Sequence, residues 1–206
     1  MLYPTSMQRK LLLATRNPHK AAELGAILAP LGWTVEPLSS SSSITWDETG
    51  TTFEANARIK AQMVAQQYPS EWILADDSGL SVEALGGAPG VYSSSFGGIE
   101  GDDARNRAEL KRRLVAMGLT QSPAFFVCCL LLRSPEGVEQ VFLGTCHGQV
   151  TTQEQGTQGF GYDPMFVPDH SGGNTMAELS PEIKNQLSHR HQAVKSLVQK
   201  LSTIAI

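Results

Sequence analysis

A mixed α/β fold in one domain is what this sequence predicts, on three observations. Short apolar runs alternate with helical stretches through the first half. A turn sequence joins two longer apolar runs later on, and 206 residues fit one domain, or one domain carrying a lobe.

Each element has a local reason. Leu11-Leu12-Leu13-Ala14 is a short buried strand, and Leu24, Ile27, Leu28 and Leu31 behind it keep helical spacing, so the chain opens as strand, loop, helix. Ser39 to Ser43 mark a loop. Thr51 and Glu54 form a capping-box pair that opens a helix running to about Gln67. Trp72-Ile73-Leu74-Ala75 is the next strand, expected to end at Asp76-Asp77-Ser78-Gly79, and the glycine-rich stretch from Leu85 to Gly98 is mostly irregular. Asp102 caps a helix that runs to Gly118. Ala124 to Arg133 and Val138 to Cys146 are strands around Ser134-Pro135-Glu136-Gly137, a turn that makes them an antiparallel hairpin. Ser180, with Pro181 at the first helical position, starts a helix, and Val194, Leu197, Val198 and Leu201 give the C-terminal helix its apolar stripe. No internal repeat is present.

Composition narrows the class of function. The hydrophobic fraction is 41% and the charged fraction 17%, and no apolar run approaches the roughly 20 residues that cross a bilayer. Met1 to Lys10 lack the apolar core of a secretory signal. Three cysteines, two of them adjacent at Cys128 and Cys129, do not make a disulfide framework, so a cytoplasmic setting is expected. A net charge of -4 with a pI near 5.7 argues against a polymer nucleic acid as partner, but leaves room for a small anion in a locally basic pocket.

Five groups of residues could carry chemistry. Thr15-Arg16-Asn17-Pro18-His19-Lys20 lies between strand and helix, where backbone N–H groups at the helix start and the helix dipole suit a phosphate, helped by Lys20 and Arg16. A polar connection whose Asn and Pro merely start the helix fits equally well, and the spaced glycines of a P-loop are missing. Glu48 precedes a helix whose Phe53, Ala57 and Val64 face inward, with Asn56 and Lys60 on or beside that face, where buried polar groups need partners. Asp76-Asp77 repel each other. Because successive strand side chains alternate, one carboxylate can point into a crevice while the other anchors the chain, and an inward Asp77 with Glu48 would supply hard oxygen ligands for Mg²⁺. Phe160-Gly161-Tyr162-Asp163 is an aromatic turn that could stack on a base or simply plug the core. Lys184 with Ser188-His189-Arg190 offers donors that would suit the acceptor edge of a purine, or is plain polarity at a helix end.

Singly these signals are weak, but their order resembles the family of inosine triphosphate pyrophosphatases, also described as noncanonical purine NTP or XTP/dITP pyrophosphatases. The resemblance runs through Leu13 to Lys20, Glu48 to Ala57, Ala75 to Leu80, Gly86 to Tyr92, Phe160 to Pro164 and Ser188 to Arg190, nearly the whole chain. It implies an elongated twisted sheet with flanking helices, two lobes around a central nucleotide cleft, and a homodimer. It also implies hydrolysis of ITP, dITP and XTP to the monophosphate and pyrophosphate. By the same resemblance Thr15, Arg16, Asn17, Pro18, His19 and Lys20 hold the triphosphate, Glu48 and Asp77 bind Mg²⁺, and Asp77 activates the water. Lys60 and Ser78 contact phosphate, while Phe160, Gly161, Tyr162, Asp163, Lys184, His189 and Arg190 contact base and nucleotide. One position departs: the second residue of the first loop, often Gly in the family, is Arg16 here.

Three other readings compete. A related pyrophosphatase for modified pyrimidine or methylated nucleotides is disfavoured by Ser188-His189-Arg190. A nucleotide sensor leaves Glu48 and Asp77 unexplained, and an Asp-nucleophile phosphatase would need the Asp-x-Asp pattern, which Asp76-Asp77-Ser78-Gly79 lacks.

Overall fold

The computed structural model describes residues 9–39 and 42–201, so Ser40 and Ser41 of the serine-rich loop lie outside the described residues. Among the described residues the strands form one six-stranded sheet in the order β2-β1-β3-β4-β5-β6. They span Arg9–Ala14 (β1), Trp33–Pro37 (β2), Ile73–Val82 (β3), Gln121–Arg133 (β4), Glu139–Thr151 (β5) and Phe166–Pro168 (β6). β1 is parallel to β2 and β3, and every later pairing is antiparallel, so the sheet is mixed as expected. The helices are α1 (Pro18–Leu28), α2 (Phe53–Gln67), α3 (Asp103–Ala116), α4 (Pro181–Leu187) and α5 (His189–Leu201).

Strand alternation decides what lies on each face. Leu11, Leu13, Leu74, Cys128, Leu130 and Leu132 pack against Leu24 and Leu28 of α1 and Ala193, Val194 and Leu197 of α5. Leu12, Ala14, Ile73, Ala75, Cys129 and Leu131 pack on the other face against Ala57, Ala61 and Val64 of α2. A second core gathers Leu80 and Val82 from the far half of β3 with Phe126, Phe166, Tyr162 and Leu110 and Leu114 of α3. Among the described residues no helix is long and apolar enough to cross a membrane.

Several local expectations need correction. β3 does not end at Asp76: it continues through Asp76, Asp77, Ser78 and Gly79 to Val82, paired with β4 along its length from Ile73↔Arg133 to Val82↔Ala124. The cap of α2 is Thr52, whose Oγ1 accepts from Ala55 N at 3.1 Å, rather than Thr51. With the cap one residue later, Glu54 falls in the first turn and pairs with Arg58 at 2.9 Å. The hairpin is longer than its apolar residues suggested, and Ser188 separates α4 from α5. Asp102 and Ser180 cap their helices as expected, accepting from Arg105 N and Ile183 N.

Candidate active site

A cleft of roughly 850 Å³ runs between the two cores, and the sequence-selected groups converge on it from five elements. Its geometry follows from the two aspartates in mid-strand. Asp76 shares a face with Leu74 and so looks toward α1 and α5; Asp77 shares the face of Ile73 and Ala75 and looks toward α2.

Asp77 and Glu48 meet on one cation. Lys60 Nζ, from α2, donates to Asp77 Oδ1 at 2.7 Å, to Glu48 Oε1 at 2.9 Å and to the Asp76 carbonyl at 3.0 Å. Lys60 is buried, and although burial alone would lower its pKa, the two carboxylates raise it, so the ammonium is fixed. Asn56 Nδ2 donates to Asp77 Oδ2 at 3.3 Å while Asn56 Oδ1 accepts from Gly50 N at 2.8 Å, which ties the Glu48 loop to Asp77. Gly50 is required there, since a Cβ would stand 2.6 Å from Asn56 Oδ1. Burial pushes the Asp77 carboxyl above its ordinary range against the pull of Lys60 and Lys20, which makes it a better proton acceptor than an exposed carboxylate. The donor set fits a divalent ion: it is hard oxygen, and two carboxylates already converge on a single positive nitrogen, while Mg²⁺ is typically held by one or two carboxylates plus substrate phosphates.

Asp76 is the anchor. Fully buried, its Oδ1 accepts from Lys20 Nζ and from Ser78 Oγ, each at 2.6 Å, and its Oδ2 from Arg190 Nε at 3.2 Å and Cys128 Sγ at 3.3 Å. Burial alone would raise its pKa, but Lys20 and Arg190 reverse that and hold it well below the carboxylate range. Asp76→Asn is therefore expected to cost about 3–5 kcal/mol, the range for breaking a buried ion pair. For a chain of this size that is roughly 6–20 °C in Tm. Because the folded value lies below the unfolded one of about 3.9, the stabilisation is present above that pH and lost as pH falls through the folded value. Denaturant unfolding of both proteins should show a full gap at neutral pH that shrinks below about pH 4. A gap independent of pH would mean that the charge of Asp76 is not what stabilises the fold.

The first loop behaves partly as expected. Asn17 caps α1, its Oδ1 accepting from His19 N at 2.9 Å and Lys20 N at 3.3 Å, and Pro18 is the first helical residue. Those two backbone donors thus already have a partner, which leaves Lys20, beside the cleft, and the helix dipole as the loop's main positive features. Thr15 is buried and its Oγ1 accepts from Asn17 N at 3.2 Å. The Arg16 guanidinium turns away from the helix start, to the Ile44 carbonyl and the Trp46 ring.

At the other end of the cleft Phe160 stacks on His19, with ring centroids 5.1 Å apart and an interplanar angle of 14°, and Lys184 and Arg190 lie 5.0 and 5.5 Å from its ring centre. Asp163 Oδ2 holds this turn, accepting from Phe160 N at 2.8 Å and Lys184 Nζ at 2.7 Å. Gly159 has φ +78°, and a Cβ on it would lie 2.1 Å from Asp163 Oδ2. Gly161 is gripped at both ends of its peptide, its N–H donating to Asp103 at 2.7 Å and its carbonyl accepting from Arg107 at 2.9 Å. Tyr162 is a core residue whose hydroxyl donates to the Ser93 carbonyl at 2.9 Å, so of the two aromatics Phe160 is the one placed to meet a flat ligand. His189 is buried and stacked on Phe126; burial, with help from Arg190, keeps its pKa well below 6.5, and its Nδ1 has no hydrogen-bond partner among the described residues.

Sequence reasoning missed Glu23. This carboxylate of α1 accepts from Lys184 Nζ at 2.6 Å and from Arg190 Nη1 at 2.8 Å, holding both donors from the side of the first loop. Its only sequence signal is its place one turn after Lys20. Charges thus run continuously from Lys20 through Asp76, Arg190, Glu23 and Lys184 to Asp163, joining the two ends of the cleft.

Comparison with known proteins is consistent along the chain. The sequence model of the Ham1 family matches residues 11–200. The dITP/XTP pyrophosphatase of Halalkalibacterium halodurans is 45% identical over 90% of this chain and 95% of its own length, and that of Exiguobacterium sibiricum 44% identical over 94% and 98%. Among solved structures, the Ham1 protein of Staphylococcus aureus superposes with a TM-score of 0.80 at 34% identity, covering 94% of this chain and 98% of that one. The HAM1 protein of Coxiella burnetii gives a TM-score of 0.83 at 36% identity, covering 95% and 100%.

Proposed function

Since this chain belongs to the Ham1 family, we propose that it is a nucleoside triphosphate pyrophosphatase that hydrolyses noncanonical purine nucleotides, ITP, dITP and XTP, to the monophosphate and pyrophosphate. The observation that carries this reading is the meeting of Asp77 and Glu48 on one cation at the wall of a cleft whose far end presents Phe160, Lys184 and Arg190.

Each group has a task in that chemistry. Glu48 and Asp77 hold Mg²⁺, which when bound supplies charge neutralisation on the phosphates. Asp77 accepts the proton of the attacking water. Lys20 and Lys60, with Thr15, Asn17, His19 and Ser78 around them, stabilise the negative charge that gathers on the departing pyrophosphate. Phe160 stacks on the base, while Lys184, His189 and Arg190 address its edge; Asp163 and Gly161 fix the turn that carries Phe160. The same reading takes the protein as a cytoplasmic homodimer acting on free nucleotides.

The test is a substrate panel run with and without metal. ITP and XTP should be hydrolysed well ahead of ATP, activity should vanish with EDTA and return with Mg²⁺, and monophosphate should accumulate. Full activity in EDTA, or ATP turned over as well as ITP, would overturn the proposal.

A further inference from the structure

Glu48 sits on an irregular segment between β2 and α2, and a metal ligand on such a segment must be held in place by something else. The ties along the segment are mostly local: Ile44 N donates to Ser42 Oγ and Thr49 N to the Asp47 carbonyl. Asn56 fastens its far end through Gly50. The near end is fastened by Arg16. Its Nη2 donates to the Ile44 carbonyl, and its guanidinium lies 5.4 Å from the centre of the Trp46 ring. Ile44 is buried in the core beneath α2, and Trp46 packs against that core. Arg16 therefore grips the segment four and two residues before Glu48, and does so from the first loop, with Arg16, Trp46 and Glu48 all lining the cleft.

We propose that Arg16 is a positioning residue: it docks the Ile44–Glu48 segment against the first loop so that Glu48 reaches Asp77, and thereby sets the affinity of the site for a divalent cation. This rests on the reading that Glu48 and Asp77 hold that cation. The guanidinium suits the task because its flat face can lie over an indole while its edge donates to a carbonyl, which an ammonium does less well. It is a different role from the phosphate contact that the family resemblance implied for this position.

The test measures Mn²⁺ binding to the full chain without nucleotide, by the paramagnetic resonance of free Mn²⁺, together with amide hydrogen exchange across Ile44–Glu48. Arg16→Ala should weaken Mn²⁺ binding about tenfold or more, the range seen when a partner of a metal ligand is removed. It should also speed exchange in the segment before any metal is added, and Arg16→Lys should restore only part of both. In turnover, the metal concentration for half-maximal rate should rise while the nucleotide KM at saturating metal does not. Unchanged Mn²⁺ affinity and exchange with a raised nucleotide KM would overturn the proposal and make Arg16 a phosphate ligand. Failure of the underlying reading shows elsewhere: Glu48→Gln that binds Mn²⁺ as tightly as wild type would remove Glu48 from the metal site, and the role of Arg16 with it.

Discussion

Asp77→Asn should keep the fold and lose at least about two orders of magnitude in turnover, the range for removing a catalytic base. The substitution keeps the shape and one accepting oxygen, which serves Lys60, and gives up only the 3.3 Å bond from Asn56; Lys60 also keeps Glu48, and burial already disfavours the Asp77 charge, so the packing of α2 on β3 should survive. What it removes is the negative charge and the proton acceptor. Circular dichroism and Tm near wild type, beside a collapsed kcat, are the expected pair of results. Near-normal turnover would mean that another group activates the water.

The second large effect concerns the base. Hypoxanthine and xanthine carry an acceptor at C6, where adenine carries an amino donor, so a donor from the protein favours the first two. Three of the five N–H groups of Arg190 face Asp76, Glu23 and Ser78, which leaves at most two for a ligand beside Phe160. A buried donor facing a donor is left unpaired, and sites built this way discriminate by about 10⁴-fold or more. Arg190→Ala should therefore narrow the ratio of kcat/KM for ITP over ATP, mainly by weakening ITP. The variant also leaves Asp76 and Glu23 short of a partner and should be less stable by about 3–5 kcal/mol. A ratio taken on one preparation is insensitive to the fraction folded, because both substrates meet the same active enzyme. An unchanged ratio would show that Arg190 holds Asp76 and Glu23 together without reading the base.

Much of this was legible in the sequence, for reasons that also explain what was not. The strands and helices found correctly were those with strong apolar periodicity or a good cap, such as Leu11 to Ala14 and the helix after Asp102. β2 went unnoticed because its five residues alternate poorly and end in Pro37, and β6 because three residues carry no period at all; each is a strand by virtue of the neighbour it pairs with. Adjacent aspartates suggest the end of a strand because charged residues are rare inside strands. They are tolerated in the middle of β3 because opposite faces deliver opposite partners, Lys20 and Arg190 to one and Lys60 to the other. The motifs placed Glu48, Lys60 and Asp77 at one site, and the structure brings them into contact. Glu23 escaped because its importance lies wholly in partners 161 and 167 residues away. Arg16 is legible as a loop residue beside the helix start, but nothing in its neighbourhood signals the contacts its side chain makes with Ile44 and Trp46.

In the proposed reaction water attacks the α-phosphorus while Lys20 and Lys60 stabilise the departing pyrophosphate. Hydrolysis of ITP in ¹⁸O-labelled water, with both products analysed by mass spectrometry, tests it most directly. The expected result is IMP carrying the label, with unlabelled pyrophosphate. Label in pyrophosphate would place the attack on the β-phosphorus, and IDP with labelled orthophosphate would place it on the γ-phosphorus; either would contradict the account.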